Sequence, residues 1–96
     1  MKKMMISFNL PISIFKEGKN YIAFSPVLDL STSGKNIEET KSRFTEIITL
    51  FFEELVKKGT LEEVLTNLGW NKVKKQWEPP QLITQKSERI SIPAFA

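Results

Sequence analysis

Between Asn36 and Gly59 the sequence specifies both ends of one long helix, and this constrains everything around it. Asn36 is a good N-cap, and Glu39 follows three positions later, the spacing of a capping box. Glu38 and Glu39 suit the positive end of the helix dipole, and Lys57 and Lys58 the negative end. Gly59 supplies the left-handed residue that commonly closes a helix. Ile37, Phe44, Ile48, Phe51 and Leu55 recur in steps of three and four, after a skip at Lys41. Glu39/Arg43, Glu53/Lys57 and Glu54/Lys58 are i,i+4 pairs in the favourable order. These signals predict a helix over about 37–58. Ile47, Leu50, Phe52 and Val56 widen its apolar stripe beyond one face. Such a helix is either deeply buried or buried on two sides, and one three-stranded sheet covers only one side. A homodimer or partner surface is therefore expected, unless a second helix and the tail cover the other side.

The residues before this helix read as strands. Ile6, Phe8, Leu10, Ile12 and Ile14 are apolar at alternate positions, the period of a half-buried strand. Pro11 cannot donate to a ladder and so favours an edge or a bulge. The same alternation, with Ser7, Asn9, Pro11 and Ser13, suits a strand better than the apolar core of a signal peptide. Lys16–Asn20 is a glycine-containing turn into a second strand, Tyr21–Ser25, with Ile22 and Phe24 expected to continue the inward face. Pro26 interrupts, and Val27–Ser33 reads as a third strand ending at Gly34. Asp29, between Leu28 and Leu30, is expected to face away from them.

After Gly59, Thr60 and Glu63 suggest a cap for a short helix with Leu61, Val64, Leu65 and Leu68 on its apolar face. Gly69 ends it and places Trp70 for the hydrophobic contact that accompanies a glycine C-cap. From Asn71 the pattern is extended, with Val73 and Trp77 on one strand face and a break at Pro79–Pro80. Leu82–Gln85, and Ile90 with Ile92, are weaker strand signals. The expected architecture is α+β: an antiparallel sheet of three to four strands packed on one long and one short helix, in the order β-β-β-α-α-β. Residues 1–78 form the domain and residues 79–96 an extended tail, suited to strand exchange.

Composition narrows function mainly by exclusion. The chain has 96 residues, enough for one modest core, and no cysteine or histidine. Disulfides, thiolate chemistry, Cys/His zinc sites and histidine general bases are thereby excluded. The absence of cysteine is compatible with a cytoplasmic location. No run of apolar residues is long enough for a transmembrane helix. Asp29 is the only aspartate, whereas a two-metal nuclease needs several converging carboxylates. The adjacent pairs Glu38/Glu39, Glu53/Glu54 and Glu62/Glu63 diverge by roughly 100° around a helix and do not share a proton. Neither catalysis nor a cofactor or metal is expected. The net charge of +3 lies wholly beyond residue 70, where five Lys/Arg face two glutamates. Those cations are too scattered for a basic arm and suit the protection of an edge strand. Binding is the expected activity, with Tyr21, Asp29, Phe51 and Phe52 as candidate partner contacts. Pro26, Gly34, Asn36, Glu39 and Gly59 are read as structural.

The stretch YIAFSPVLDLSTSGKNIEET resembles the N-terminal domain of HicB-type antitoxins. The resemblance covers roughly residues 6–69. It rests on an extended segment with an aromatic, a proline, a loop, and a glycine before a capped helix start with two glutamates. Tyr21, Pro26, Gly34, Ile37, Glu38 and Glu39 hold those places. Asn36 stands where the family usually has threonine, Lys35 where aspartate is frequent, and Thr40 where alanine is common. The resemblance implies a partial ribonuclease H-like fold, closed by a fourth strand and without catalysis. It also implies a partner: a small HicA-like toxin that cleaves mRNA and is silenced by occlusion. The helix-turn-helix or ribbon-helix-helix that many members carry for operator DNA has no counterpart in the tail. An orphan homodimeric regulator without a toxin, a metal-dependent nuclease and DNA binding by the tail are the competing readings.

Overall fold

The computed structural model describes residues 8–94. Its elements are β1 (Ser13–Glu17), β2 (Asn20–Ser25), β3 (Leu30–Gly34), α1 (Ile37–Lys58), α2 (Leu61–Asn67), β4 (Asn71–Val73) and β5 (Gln76–Glu78). The fold is α+β: a three-stranded antiparallel sheet in the order β1-β2-β3, a long helix, a short helix and a separate two-stranded sheet. No fourth strand joins the main sheet among the described residues, so the expected closing strand is replaced by the β4–β5 hairpin. Residues 1–7, including Ile6 and Ser7 of the alternation read against a signal peptide, lie outside the described residues, as do the last two residues of the tail.

The first strand is shorter than the alternation suggests. Residues 8–12 precede the ladder, which starts at Ser13, just past Pro11 with its missing N–H. β1 does take the edge position that the proline favours. β2 turns its other face inward. Ala23 and Ser25 are fully buried, whereas Ile22 and Phe24 alternate to the opposite side. The pairings Ile14↔Ala23 and Ala23↔Thr32 put small or slender side chains beneath α1, so the helix can approach closely.

The third strand also starts later than expected. Residues 26–29 form a turn, with Asp29 in the left-handed region at φ 54°, and β3 begins at Leu30. Val27 and Leu28 are buried in that turn, where they join Leu65 and Trp70 in the core. Trp70 Nε1 donates to the Val27 carbonyl at 2.8 Å and ties the end of α2 to the sheet. Around them pack Phe8, Leu10, Ile48, Phe51 and Phe52 among others.

α1 runs between the two residues that delimit it in the sequence. Asn36 Oδ1 accepts from the Glu39 amide at 2.7 Å. Glu39 Oε2 accepts from Lys35 N–H at 2.9 Å, one residue outside the N-cap. Glu39 also pairs with Arg43 at 2.9 Å, and Arg43 Nη1 donates to the Ser33 carbonyl at 3.0 Å. This network joins β3 to the first turns of α1. Beneath it, Gly34 is buried and pressed against Thr40, whose hydroxyl donates to the Asn36 carbonyl at 2.7 Å. At the other end Gly59 adopts φ 70°. Its N–H donates to Val56 O, and Thr60 N–H to Leu55 O, a complete Schellman motif.

That motif explains why Thr60 does not cap α2 through its side chain as expected. Thr60 occupies the closing position of α1 with φ −109° and ψ 10°, outside the extended geometry of an N-cap. α2 ends as the sequence implies. Gly69, at φ 89°, donates to Thr66 O, and Trp70 donates to Leu65 O at 2.9 Å. Leu65 and Trp70 then share the core.

Beyond Trp70 the expected single strand is a hairpin. Lys74 and Lys75, at φ 50° and 67°, make a tight turn, and Lys72 pairs with Trp77 and Val73 with Gln76. Val73 and Trp77 therefore lie on opposite faces, because directly paired residues share a face. Neither Leu82–Gln85 nor Ile90–Ile92 forms a strand, and residues 81–94 are exposed throughout. The longest dimension of the molecule is 63 Å against 28 and 21 Å for the other two.

Candidate protein-binding surfaces

The strand register creates the first surface. Phe15 pairs with Ile22, and Phe24 lies between Ser13 and Ser31, all alternating away from the helix side of the sheet. Phe15 is 57% exposed, while Ile22 and Phe24 are half-buried. Serines at 13, 31 and 33 surround this apolar strip. It lies beside the outer edge of β1, whose second backbone edge has no strand partner among the described residues.

The second surface is a groove of about 660 Å³ along the second half of α1. Leu30, Ile47, Leu50, Phe51 and Leu55 line it, and Glu53, Glu54 and Lys57 form its rim. Leu50 is 57% exposed. Glu54 pairs with Lys58 at 3.0 Å. The expected Glu53/Lys57 pair is not closed, and among the described residues the Glu53 carboxylate has no cation partner.

The third is the arm after β5. Ile83, Ile90 and Ile92 are 81%, 74% and 79% exposed. Lys86 pairs with Glu88 at 3.2 Å, and Arg89 has no ion pair among the described residues.

The candidate contacts read from the sequence are distributed unevenly over these surfaces. Phe51 lines the groove. Phe52 instead turns into an aromatic cluster, 5.0 Å from Phe8 and 6.1 Å from Trp70 between ring centroids. Tyr21 is half-buried in β2, with Lys16 Nζ 6.0 Å from its ring centre and its carbonyl near the Thr40 hydroxyl. Asp29 is exposed at the tip of the turn after Pro26, not on a strand. These four residues do not converge on one site. The alternation argument does not mark Phe15, and it places Ile22 and Phe24 on the inward face, where Ala23 and Ser25 lie instead. The adjacency of Ile14 and Phe15 carried the signal, since neighbours in a strand point to opposite faces.

No group of three or more carboxylates among the described residues is arranged to hold a metal ion. The paired glutamates of α1 and α2 are mostly exposed along helix surfaces. No helix of the described residues is long and apolar enough to cross a membrane. Compared with protein-family models, curated proteins and solved structures, the chain matches none of them.

Proposed function

We propose that this chain is a non-catalytic, HicB-like antitoxin domain that acts in the cytoplasm by binding and occluding a small, basic, HicA-like mRNA-cleaving toxin. The observation that carries this reading is the joint between β3 and α1. The glycine, the cap and the glutamate on which the resemblance rests meet there as one packed unit: Gly34 against Thr40, and Asn36 bonded to Glu39. That unit sets the helix on three antiparallel strands, the order of elements the resemblance implies. Apolar surface on the outer sheet face supplies an area for a protein partner. Occlusion needs area and shape but no reacting group, which agrees with a chain lacking histidine and cysteine.

The test is co-expression with a HicA-like reading frame taken from beside this gene. A stable complex and restored growth are expected. Phe15→Glu should weaken that complex at least tenfold while leaving the far-ultraviolet circular dichroism unchanged. An active toxin that forms no complex and kills cells regardless of this protein would sink the proposal.

The second reading is an orphan HicB-like homodimer with a regulatory or scaffolding role. The exposed isoleucines of the arm favour it, since they suit self-association without any toxin. The absence of a toxin-like neighbouring gene would tip the balance toward it.

A further inference from the structure

We propose that residues 86–93 of one chain dock into the α1 groove of a second copy, and reciprocally, so that two chains form an arm-exchanged homodimer. Two unsatisfied apolar surfaces on the same chain motivate this. The arm presents Ile90 and Ile92 at 74% and 79% exposure, and the groove presents Leu50 at 57%. No residue of the arm lines the groove of its own chain. A second copy brings the two surfaces together in equal numbers, one arm for each groove.

Spacing and charge both fit this occupant. In an extended chain, Ile90 and Ile92 project to the same side about 7 Å apart. Residues three or four apart on a helix, such as Ile47 and Leu50 or Phe51, are roughly 5–6 Å apart. Two isoleucines can therefore sit between successive turns of α1. Arg89 flanks the isoleucines, while Glu88 beside it pairs with Lys86, and on the groove Glu54 pairs with Lys58, so the complementary contact is between Arg89 and Glu53, next to Lys57. Pro79 and Pro80 follow β5 directly, half-buried with Pro80 beside Gly69, and their fixed φ angles near −65° stiffen the start of the arm, which is exposed from residue 81 onward. The inference is independent of any toxin, because it concerns contacts between identical chains.

Sedimentation equilibrium of the full chain tests it, together with two variants at exposed positions. The full chain should be a dimer. Ile90→Glu/Ile92→Glu on the arm and Leu50→Glu in the groove should each weaken association at least tenfold, with unchanged circular dichroism. The chain has no cysteine, so Leu50→Cys/Ile92→Cys introduces a single thiol pair. Its oxidation should link two chains covalently. A monomer at every concentration would overturn the proposal, as would a dimer indifferent to the arm variant. Loss of the dimer in the arm variant but not in Leu50→Glu would place the arm elsewhere and refute the groove. A disulfide closed within one chain would mean self-docking and would refute the exchange.

Discussion

Gly34 and Thr40 are in such close contact that a β-carbon on residue 34 would lie 2.5 Å from Thr40 Oγ1, 2.9 Å from its amide nitrogen and 3.1 Å from its Cα. Two of these three atoms belong to the backbone of α1, so a side-chain rotation cannot relieve the clash. Gly34→Ala should cost about 1–3 kcal/mol, the range for overpacking a tight site. Adding Thr40→Ala should recover only part of that loss, since the hydroxyl is one obstacle of three. Urea denaturation of the single and double variants measures this, and an unchanged midpoint for Gly34→Ala would disprove the close approach.

Trp70 links the end of α2 to the turn after β2 through its bond to the Val27 carbonyl. Trp70→Phe keeps an aromatic ring but leaves that acceptor without its donor in the core. A loss of about 1–3 kcal/mol is expected, as for a buried group left unsatisfied. The equilibrium unfolding free energy reports it directly. Stability equal to the parent chain would mean that the bond contributes nothing.

The β4–β5 turn places two lysines in the left-handed region. Non-glycine residues pay about 1–2 kcal/mol for that conformation, and asparagine followed by glycine suits a turn with both φ values positive. Lys74→Asn/Lys75→Gly should therefore slow amide exchange across Asn71–Glu78. If exchange there is unaltered or faster, the hairpin does not have this turn.

Among the described residues Asp29 is the remaining non-glycine residue in the left-handed region, and its role divides two accounts. If the turn alone explains it, Asp29→Asn and Asp29→Gly keep the parent stability, while Asp29→Val loses about 1–2 kcal/mol. If Asp29 also contacts a partner, Asp29→Asn weakens the complex without altering the unfolding midpoint. Measuring both quantities on the same three variants separates the turn from the contact. A stable Asp29→Val chain would remove the backbone argument altogether.

The elements that were legible in the sequence are those specified by neighbours along the chain. α1 needs Asn36, Glu39 and Gly59 within a few residues of its own ends; Asn36 and Gly59 perform the roles their chemistry suggests, while the Glu39 carboxylate bonds Lys35 N–H where a capping box would use the N–H of Asn36. Likewise Gly69 and Trp70 close α2 by a local bond pattern. The less legible elements depend on distant partners. Bulk favoured Ile22 and Phe24 as the inward residues of β2, but the short distance to α1 selects Ala23 and Ser25. The strand has the same period either way, so alternation cannot distinguish its faces. The hairpin at Lys74–Lys75 lacks the usual turn residues and left no mark for sequence reasoning to find.

The candidate surfaces divide in the same manner. Phe51 and Phe52 are adjacent on one helix and look equivalent as letters. Phe8, far away in the chain, packs against Phe52 and draws it into the aromatic cluster, while Phe51 stays at the groove. By itself the sequence determined the two helices with the glycine that closes each, and it ruled out histidine and cysteine chemistry. Only the tertiary structure decided which apolar side chains are buried and which remain at the surface. The physical reason is range: caps and periodicity act over a turn or two of chain, whereas burial depends on which segments meet in space.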